Sequence, residues 1–473
     1  MTSSWRGGLL GGGLAAAVVG GCVYLNTLYN AQRLYAEAEQ ARLEGLDSVA
    51  RFRYDSVAAK AARSYREDPE GGWADDALYL MGRAHLRQGD LPRATEAFRR
   101  LRARTADEEI RAGATMYLGA VAILRGDRVR ALALLNRALE GLHDRTLLAE
   151  GHLWRARANL AGGRIDAGWW DLDRAAEADP RLRVAADLER VKWGVVHGDT
   201  ARARTGVGRL LRSAASHLRV DTLMGLVDVA AAQWGPGGAA GLLAGAEASS
   251  WPPDERDRLL LLRADLRLRE GDTLAARADA RQVAAGFGDG ATRARLLLAD
   301  LVLARARSVE GLGEVRPILL PAARSPAVLD VLEAVRKVDL LHRRARRPGE
   351  EVALFAAAEL ARDDLRAVAL ARELFLQYAT RAGRSPWAGK ALLAALALTP
   401  PAEVEARRVL ERRIESMQRN PYVRAVRTGW FPAADFERLE ADLREALRRI
   451  VTEVTAEAVQ LDLQLRARGD TLF

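Results

Sequence analysis

The most reactive side chains of this sequence are one cysteine and six histidines. Cys22 is the single cysteine, so the chain by itself cannot build a disulfide framework or a thiolate metal site. The histidines are scattered along the chain: His85, His143, His152, His197, His217 and His342. No two of them have the spacing that places two metal ligands on one face of a helix. The sequence therefore predicts no metal centre and no cofactor.

Motifs for nucleophilic catalysis and phosphate binding are also missing from the sequence. No glycine-rich loop ends in Lys-Ser or Lys-Thr, and neither GxSxG nor HExxH occurs. Neighbouring carboxylates, such as Asp171 with Asp173 and Asp363 with Asp364, are typical of helix caps and charged helix surfaces. Because no set of residues fills the roles of a catalytic site, we expect a binding protein rather than an enzyme.

Cys22 stands directly after a short apolar segment. Arg6 precedes a run from Leu9 to Gly20 that has the length of a signal-peptide core and is shorter than the ~20 apolar residues that span a bilayer. The residues before the cysteine are Val19, Gly20 and Gly21, and a signal peptidase requires small residues next to its cut. The alternative is a short uncleaved membrane helix that continues through Leu25.

The Val19-Gly20-Gly21-Cys22 sequence resembles the bacterial lipobox, with valine where leucine is commonest. The resemblance implies that residues 1–21 are a lipoprotein signal peptide and that Cys22 becomes the lipidated first residue of the mature protein. It also implies a periplasmic location on a bacterial membrane. Valine, rather than aspartate, after the cysteine implies the outer membrane.

A pair of short amphipathic helices is predicted between Ala74 and Leu101. Gly89 can adopt the left-handed conformation that ends the first helix, and Asp90 and Pro92 suit the start of the second. Apolar residues recur at helical spacing on both sides of this turn. A hairpin this short cannot bury its own apolar face, so it needs neighbours of the same kind.

The glycine of this turn returns at a near-constant interval. The series is Gly89, Gly126, Gly163, Gly198, Gly235 and Gly271, with spacings of 37, 37, 35, 37 and 36 residues. An aspartate follows four of these glycines: Asp90, Asp127, Asp199 and Asp272. A small residue usually stands seven positions before the glycine, as Gly82 and Gly119 do. Six units in one register predict an all-α solenoid of antiparallel helix pairs.

At these positions the sequence resembles the tetratricopeptide repeat (TPR) family, over roughly residues 48–400. In the first unit, Leu78, Met81, Gly82, Ala94 and Phe98 stand where the family has its signature residues. The units are slightly longer than those of the family, and the fifth unit and the ones after residue 304 are degenerate. The resemblance implies a TPR-like α-solenoid. In architecture and position, the chain is similar to BamD-like envelope scaffolds.

The chain divides into five predicted segments. Residues 1–21 are the signal peptide, and residues 22–72 are the acylated N-terminus with a first helical hairpin. Residues 73–304 contain the regular repeats, residues 305–400 the degenerate ones, and residues 401–473 a C-terminal helical cap. An apolar stripe on the last helix, from Phe436 to Leu465, predicts this cap, with docking on a partner as the alternative.

The net charge of +9 does not by itself indicate nucleic-acid binding. Nearly all basic residues are arginines, and acids alternate with them along most predicted helices, as in the run from Arg267 to Glu270. Alternating charge is typical of a solvated helix surface. We therefore expect no nucleic acid among the partners.

The resemblance to TPR proteins implies where a partner binds, because in such arrays the first helix of each pair lines the groove. The groove residues predicted in this way are Asp76, Tyr79, Arg83, Arg87, Met116, Arg157 and Lys192. Asp265 and Asp300 are predicted to continue the groove with negative charge. Arginine and tyrosine are favoured binding anchors, although ordinary solvated polar residues are the alternative.

Together these features predict a lipid-anchored periplasmic TPR scaffold. Its expected role is to mediate protein–protein interactions in cell-envelope biogenesis, in outer-membrane protein assembly or secretion. The alternatives are an adaptor for peptidoglycan or polysaccharide synthesis and a cytoplasmic TPR regulator. The expected partners are other envelope proteins or peptide segments, and the membrane through an acylated Cys22. No small-molecule substrate is expected.

Overall fold

All six glycines of the predicted series have a positive φ angle. In a computed structural model of the chain, their φ angles lie between +71° and +90°. This conformation strains residues that carry a Cβ atom and suits glycine. Each glycine ends one helix, and the next helix begins within two residues. The predicted series of helix pairs is therefore confirmed.

The structure describes residues 27–42, 46–213, 220–429 and 432–467. These residues form helices and connecting turns without a β-strand, which confirms the all-α prediction. No helix within these ranges has the length and apolar character needed to span a membrane. The predicted signal peptide and lipobox, with Val19, Gly20, Gly21 and Cys22, lie outside the described residues.

The chain divides into two compact units, Met1–Gly271 and Asp272–Phe473. The helices of the first unit are α1 (27–42), α2 (Asp47–Glu67), α3 (Ala74–Gln88), α4 (Leu91–Arg104), α5 (Glu108–Leu124), α6 (Arg128–Glu140), α7 (Arg145–Ala161), α8 (Ile165–Ala178), α9 (Arg183–Val196), α10 (Thr200–Arg212), α11 (Val220–Leu242) and α12 (Pro253–Glu270). Gly235 interrupts α11 with a non-helical conformation, so α11 consists of two helices joined at the predicted turn.

The helices of the second unit follow the same alternation less regularly. They are α13 (Thr273–Ala284), α14 (Gly288–Leu303), α15 (Val315–Leu319), α16 (Pro326–Arg344), α17 (Val352–Asp363), α18 (Val368–Arg381), α19 (Trp387–Ala397), α20 (Val404–Ser416), α21 (Pro421–Thr428) and α22 (Ala433–Ala467). The short α15 lies where prolines and glycines interrupt the repeat pattern in the sequence.

The aspartates after the glycines cap the second helix of their pairs. The side chains of Asp90, Asp127, Asp199 and Asp272 each accept a hydrogen bond from the backbone N–H three residues later, at 2.9 to 3.1 Å. Such a cap satisfies one of the donors that the first turn of a helix leaves unpaired. The local sequence thus fixes both sides of these four turns.

Small residues allow the paired helices to approach closely. A Cβ atom on Gly82 would lie 2.7 Å from Cε1 of Phe98, and one on Gly119 would lie 2.7 Å from Cγ of Leu135. Phe98 and Leu135 are fully buried, so neither can move into solvent to make room. The two glycines are therefore required by helix packing rather than by a turn.

The apolar stripe of α22 is part of the core of the second unit. Leu443, Ile450 and Val454 are at most 2% exposed, and α22 lies against α16 and α17. Lys390 of α19 forms an ion pair with Glu440 of α22 at 2.7 Å. The last helix is thus docked within its own unit, and each unit is built from the stacked helices of an α-solenoid.

Candidate partner-binding surface

The first helices of the pairs in the N-terminal unit form one layer. Helix α3 contacts α5, α5 contacts α7, α7 contacts α9, and α9 contacts α11, while each also packs on the second helix of its own pair. Side chains on neighbouring first helices can therefore meet although they are far apart in sequence. We call this row of α3, α5, α7 and α9 the first-helix layer.

Arg83 lies among three tyrosines at one end of the first-helix layer. Its guanidinium carbon is 4.6 Å from the ring centroid of Tyr35 on α1, 5.6 Å from that of Tyr79 on α3, and 5.8 Å from that of Tyr117 on α5. A cation above an aromatic ring is attracted by the negative face of the ring. Three helices thus combine to hold one cation, which we call the Arg83 site.

No carboxylate pairs with Arg83 in the described part of the chain. Its Nε atom is buried there without a hydrogen-bond partner. Arg87, one turn further along α3, differs in this respect, because its guanidinium binds Glu39 at 2.8 Å and Glu150 at 3.4 Å. The positive charge of Arg87 is therefore compensated, whereas that of Arg83 is held mainly by aromatic rings.

Glu39 and Glu150, the two carboxylates beside the Arg83 site, are already engaged. Glu39 also binds Arg42 at 2.9 Å and accepts a hydrogen bond from the hydroxyl of Tyr54 at 2.5 Å. Burial by itself raises the pKa of Glu39, but Arg87, Arg42 and the Tyr54 hydroxyl outweigh it and lower this pKa to about 2. Both glutamates are thus bound to other groups, and Glu150 acts on Arg83 only through its charge.

The tyrosines of the Arg83 site are neutral at pH 7, because the pKa of each is raised. Burial raises the pKa of Tyr79 to about 12, although the charge of Arg83 opposes the shift. Burial raises the pKa of Tyr117 in the same way, and the hydroxyl of Tyr117 donates to Glu150. A partner group at this site would therefore meet one cation and neutral aromatic rings.

A second cluster of cations and indoles lies further along the first-helix layer. The guanidinium of Arg157 on α7 is 4.5 Å from a ring centroid of Trp154 and forms an ion pair with Glu189 of α9 at 2.6 Å. The indole N–H of Trp193 donates to Glu189 at 3.0 Å, and Lys192 lies 5.3 Å from the Trp193 ring. The carboxylate of Glu189 therefore compensates the positive charge of Arg157, unlike the situation at the Arg83 site.

Most of the predicted groove residues reach the surface of the first-helix layer. Asp76 and Lys192 are exposed, and Tyr79, Arg83, Arg87 and Arg157 are partly exposed. The structure contradicts the prediction for Met116, which is fully buried. A Cβ atom on Gly151 would lie 3.4 Å from the sulfur of Met116, so this side chain packs between α5 and α7 instead of facing a partner.

Several residues in and beside the Arg83 site were not predicted from the sequence. Tyr35 and Glu39 come from α1, and Tyr117 and Glu150 come from α5 and α7. The only sequence signal for Tyr35 and Glu39 is their spacing of four residues, which places them on one helix face.

Asp265 and Asp300, the predicted acidic continuation of the groove, are both exposed, but Asp265 belongs to the first unit and Asp300 to the second. Among the described residues, no group of three or more histidines, cysteines and carboxylates could hold a metal ion.

Comparison with known proteins gives matches among solved structures only. No family model matches the chain, and no curated protein matches it. The chain is similar to TPR proteins. One is a TPR protein from Parabacteroides merdae, with 16% identity over 56% of this chain and 98% of that protein, at a TM-score of 0.32. The fold itself is established by the helix pairs described above.

Two further solved structures show the same kind of likeness. PilW, a type IV pilus biogenesis factor, has 18% identity over 46% of this chain and 92% of its own length, at a TM-score of 0.34. BtubC from P. vanneervenii has 16% identity over 55% of this chain and 94% of its own, at a TM-score of 0.26. Identities and TM-scores this low do not bear on partner or process.

Proposed function

We propose that this protein is a lipid-anchored scaffold that binds segments of other cell-envelope proteins on the first-helix layer of its N-terminal unit. The supporting observation is the Arg83 site, where a cation without a carboxylate partner lies among three aromatic rings. Arginine and tyrosine together are typical of binding hot spots. A carboxylate of a partner would pair with the guanidinium of Arg83, whose side chain is partly exposed.

The second part of the proposal concerns location. The lipobox resemblance at Val19 to Cys22 supports acylation of Cys22 and a position on the periplasmic face of a membrane, with the outer membrane favoured. Acyl chains at one end keep the first-helix layer near the bilayer, where envelope proteins are assembled. The protein then acts by positioning its partners and not by catalysis.

Photo-crosslinking in living cells tests the binding surface. A photoreactive amino acid in place of Tyr79 is expected to form an adduct with a partner, whereas one in place of Val129, which is 83% exposed on the second helix α6, is not. Arg83→Gln should abolish the adduct and Arg83→Lys should restore part of it, because lysine keeps the charge. The matched control is Arg99→Gln, an exposed arginine of α4.

The same experiment discriminates between the processes that a scaffold could serve. β-Barrel assembly factors or secretion components in the Tyr79 adduct support the proposal, whereas synthases of peptidoglycan or polysaccharide would favour the adaptor alternative. An adduct that forms only from the Val129 position would refute binding on the first-helix layer. So would a Tyr79 adduct that Arg83→Gln leaves unchanged.

Metabolic labelling tests the anchor. An alkyne fatty acid is expected to label the wild-type protein and not Cys22→Ala, and the variant should no longer fractionate with membranes. Equal labelling of both proteins, or an unlabelled wild-type protein in the cytosol, would exclude acylation at Cys22 and favour a cytoplasmic regulator.

A further inference from the structure

Helix α13 has two arginines on one face that lack a counter-charge. Arg277 and Arg281 are four residues apart, so their side chains project from the same side of the helix. Within the described ranges, neither side chain forms a hydrogen bond or an ion pair. Arg281 lies in the last turn, where the helix dipole favours a cation, but Arg277 lies one turn earlier. Like charges at this spacing destabilise a helix unless an anion compensates them.

Both arginines line a cleft of about 510 Å³ that α13, α14 and α15 form together. A third arginine, Arg295 of α14, lines the same cleft. Its Nη2 atom donates to the backbone carbonyl of Gly286 at 3.0 Å. This hydrogen bond fixes the guanidinium near the end of α13 but leaves its charge uncompensated, because a carbonyl group has no net charge. We call this cleft the α13 cleft.

The floor of the α13 cleft is apolar and belongs to the core of the second unit. Leu298 of α14 is 7% exposed, and Ile318 of α15 packs against the same core. These side chains are covered by their own unit, so they form the base of the cleft and not a free apolar face. A charge above such a base is screened less by water than a charge on an open surface, which strengthens its interaction with the arginines.

The charged side chains that line the α13 cleft have a net charge of plus two. Arg277, Arg281 and Arg295 contribute three positive charges, and Glu314, just before α15, contributes one negative charge. In the part of the chain that the structure describes, no ion pair joins Glu314 to any of these arginines. The carboxylate therefore does not occupy the guanidinium groups. A site with this net charge favours a dianion over a monoanion.

A phosphate monoester is the anion that matches this arrangement. It carries a charge of about −1.5 to −2 at pH 7 and three strong acceptor oxygens, whereas a carboxylate carries a single charge and two oxygens. The planar fork of an arginine can bind two oxygens of one phosphate. The volume of the cleft is within the range of roughly 300–1,000 Å³ that is typical of small-molecule sites, so it also has room for the group that the phosphate is attached to.

We propose that the α13 cleft binds the phosphate monoester group of a small molecule or of a lipid headgroup. Arg277 and Arg281 would bind the phosphate oxygens directly, and Arg295 would add its charge from α14. Glu314 would accept hydrogen bonds from hydroxyl groups of the bound molecule. The site is in the second unit, so it depends neither on the Arg83 site nor on acylation of Cys22.

Isothermal titration calorimetry of the full chain at low salt tests the proposal with sn-glycerol 3-phosphate. Glycerate, which carries a carboxylate instead of the phosphate ester, is expected to bind at least about tenfold more weakly. Dihexanoyl phosphatidic acid, a water-soluble lipid with the same phosphate monoester, distinguishes the two sources of the ligand. Tighter binding of this lipid than of sn-glycerol 3-phosphate assigns the cleft to a lipid headgroup, and equal binding assigns it to a soluble phosphate ester.

Three variants assign the binding to the cleft. Arg277→Gln and Arg281→Gln are each expected to weaken sn-glycerol 3-phosphate by about tenfold or more, because each removes a charged hydrogen-bond donor. Glu314→Gln is expected to tighten it, because it removes a charge of the same sign as the ligand. The matched control is Arg293→Gln, at an exposed arginine two positions before Arg295 and therefore on another side of α14. All four positions are exposed or partly exposed, so these substitutions leave the core intact.

Three outcomes would overturn the proposal. The first is that neither sn-glycerol 3-phosphate nor dihexanoyl phosphatidic acid binds. The second is that glycerate binds as tightly as sn-glycerol 3-phosphate, which would show that the cleft does not select a phosphate group. The third is binding that Arg277→Gln and Arg281→Gln leave unchanged, or that Arg293→Gln weakens to the same extent, which would place the bound anion elsewhere on the positively charged surface.

Discussion

Replacing Glu39 by glutamine should destabilise the N-terminal unit in a pH-dependent way. Glutamine keeps the size of the side chain and removes the negative charge that binds Arg87 and Arg42. The Glu39 side chain is 21% exposed, so solvent screens these ion pairs only in part. The carboxylate is therefore expected to contribute more than an ordinary surface ion pair.

The magnitude follows from the pKa of Glu39, which the fold lowers from 4.5 to about 2. A carboxyl whose pKa is lower in the folded state stabilises the fold above its unfolded pKa, and this contribution is lost as the pH falls through the folded pKa. A shift of about 2.5 units corresponds to roughly 3 kcal/mol at pH 7 and to roughly 1.4 kcal/mol at pH 3.

Urea unfolding followed by circular dichroism measures this contribution. The difference in unfolding free energy between the wild type and Glu39→Gln should fall from about 3 kcal/mol at pH 7 to less than half of that at pH 3. The control is Glu96→Gln, whose carboxylate is 57% exposed and pairs with Arg100, and which should change stability by about 0.5 kcal/mol or less. The reasoning is refuted if Glu39→Gln costs the same at both pH values.

Two packing predictions use matched substitutions. Gly82→Ala should destabilise the protein by about 1–3 kcal/mol, because the added methyl group would collide with buried Phe98. In the same urea titration, Gly72→Ala should be neutral, because nothing lies within 4 Å of the added methyl group. Leu443→Ala, at a side chain that is 1% exposed, should cost about 2–5 kcal/mol, whereas Val409→Ala, at one that is 49% exposed, should cost less than about 0.5 kcal/mol. Equal costs within either pair would show that the burial assigned to these sites is wrong.

The apolar pattern of α22 predicted its buried face but not its place in the fold. The stripe that contains Leu443, Ile450 and Val454 follows from helical periodicity alone, and all three side chains are buried. The sequence left open whether this stripe docks on the chain or on a partner. The structure places it on α16 and α17, and this choice depends on surfaces far earlier in the chain, as the contact between Arg344 and Glu457, which are 113 residues apart, shows.

The register of the repeats predicts which face of a first helix a residue lies on, but not what covers that face. It placed Arg83 and Arg87 on the face of α3 that meets Tyr35 of α1 and Glu150 of α7, because the positions of residues around a helix follow from their spacing. The same register placed Met116 on that face of α5, but α7 covers it. Whether a neighbouring first helix covers a position depends on how closely two pairs stack, and Gly151 permits a close approach there.

The sequence by itself determined the helix pairs, their turns and their caps. A left-handed glycine such as Gly89 and a capping aspartate such as Asp90 act on backbone within four residues, so their effects are readable locally. Only the tertiary structure decided which charges meet. Arg87 and Glu39 are 48 residues apart, and the tyrosines around Arg83 come from three helices, because the stacking of successive pairs, which no local signal specifies, brings them together.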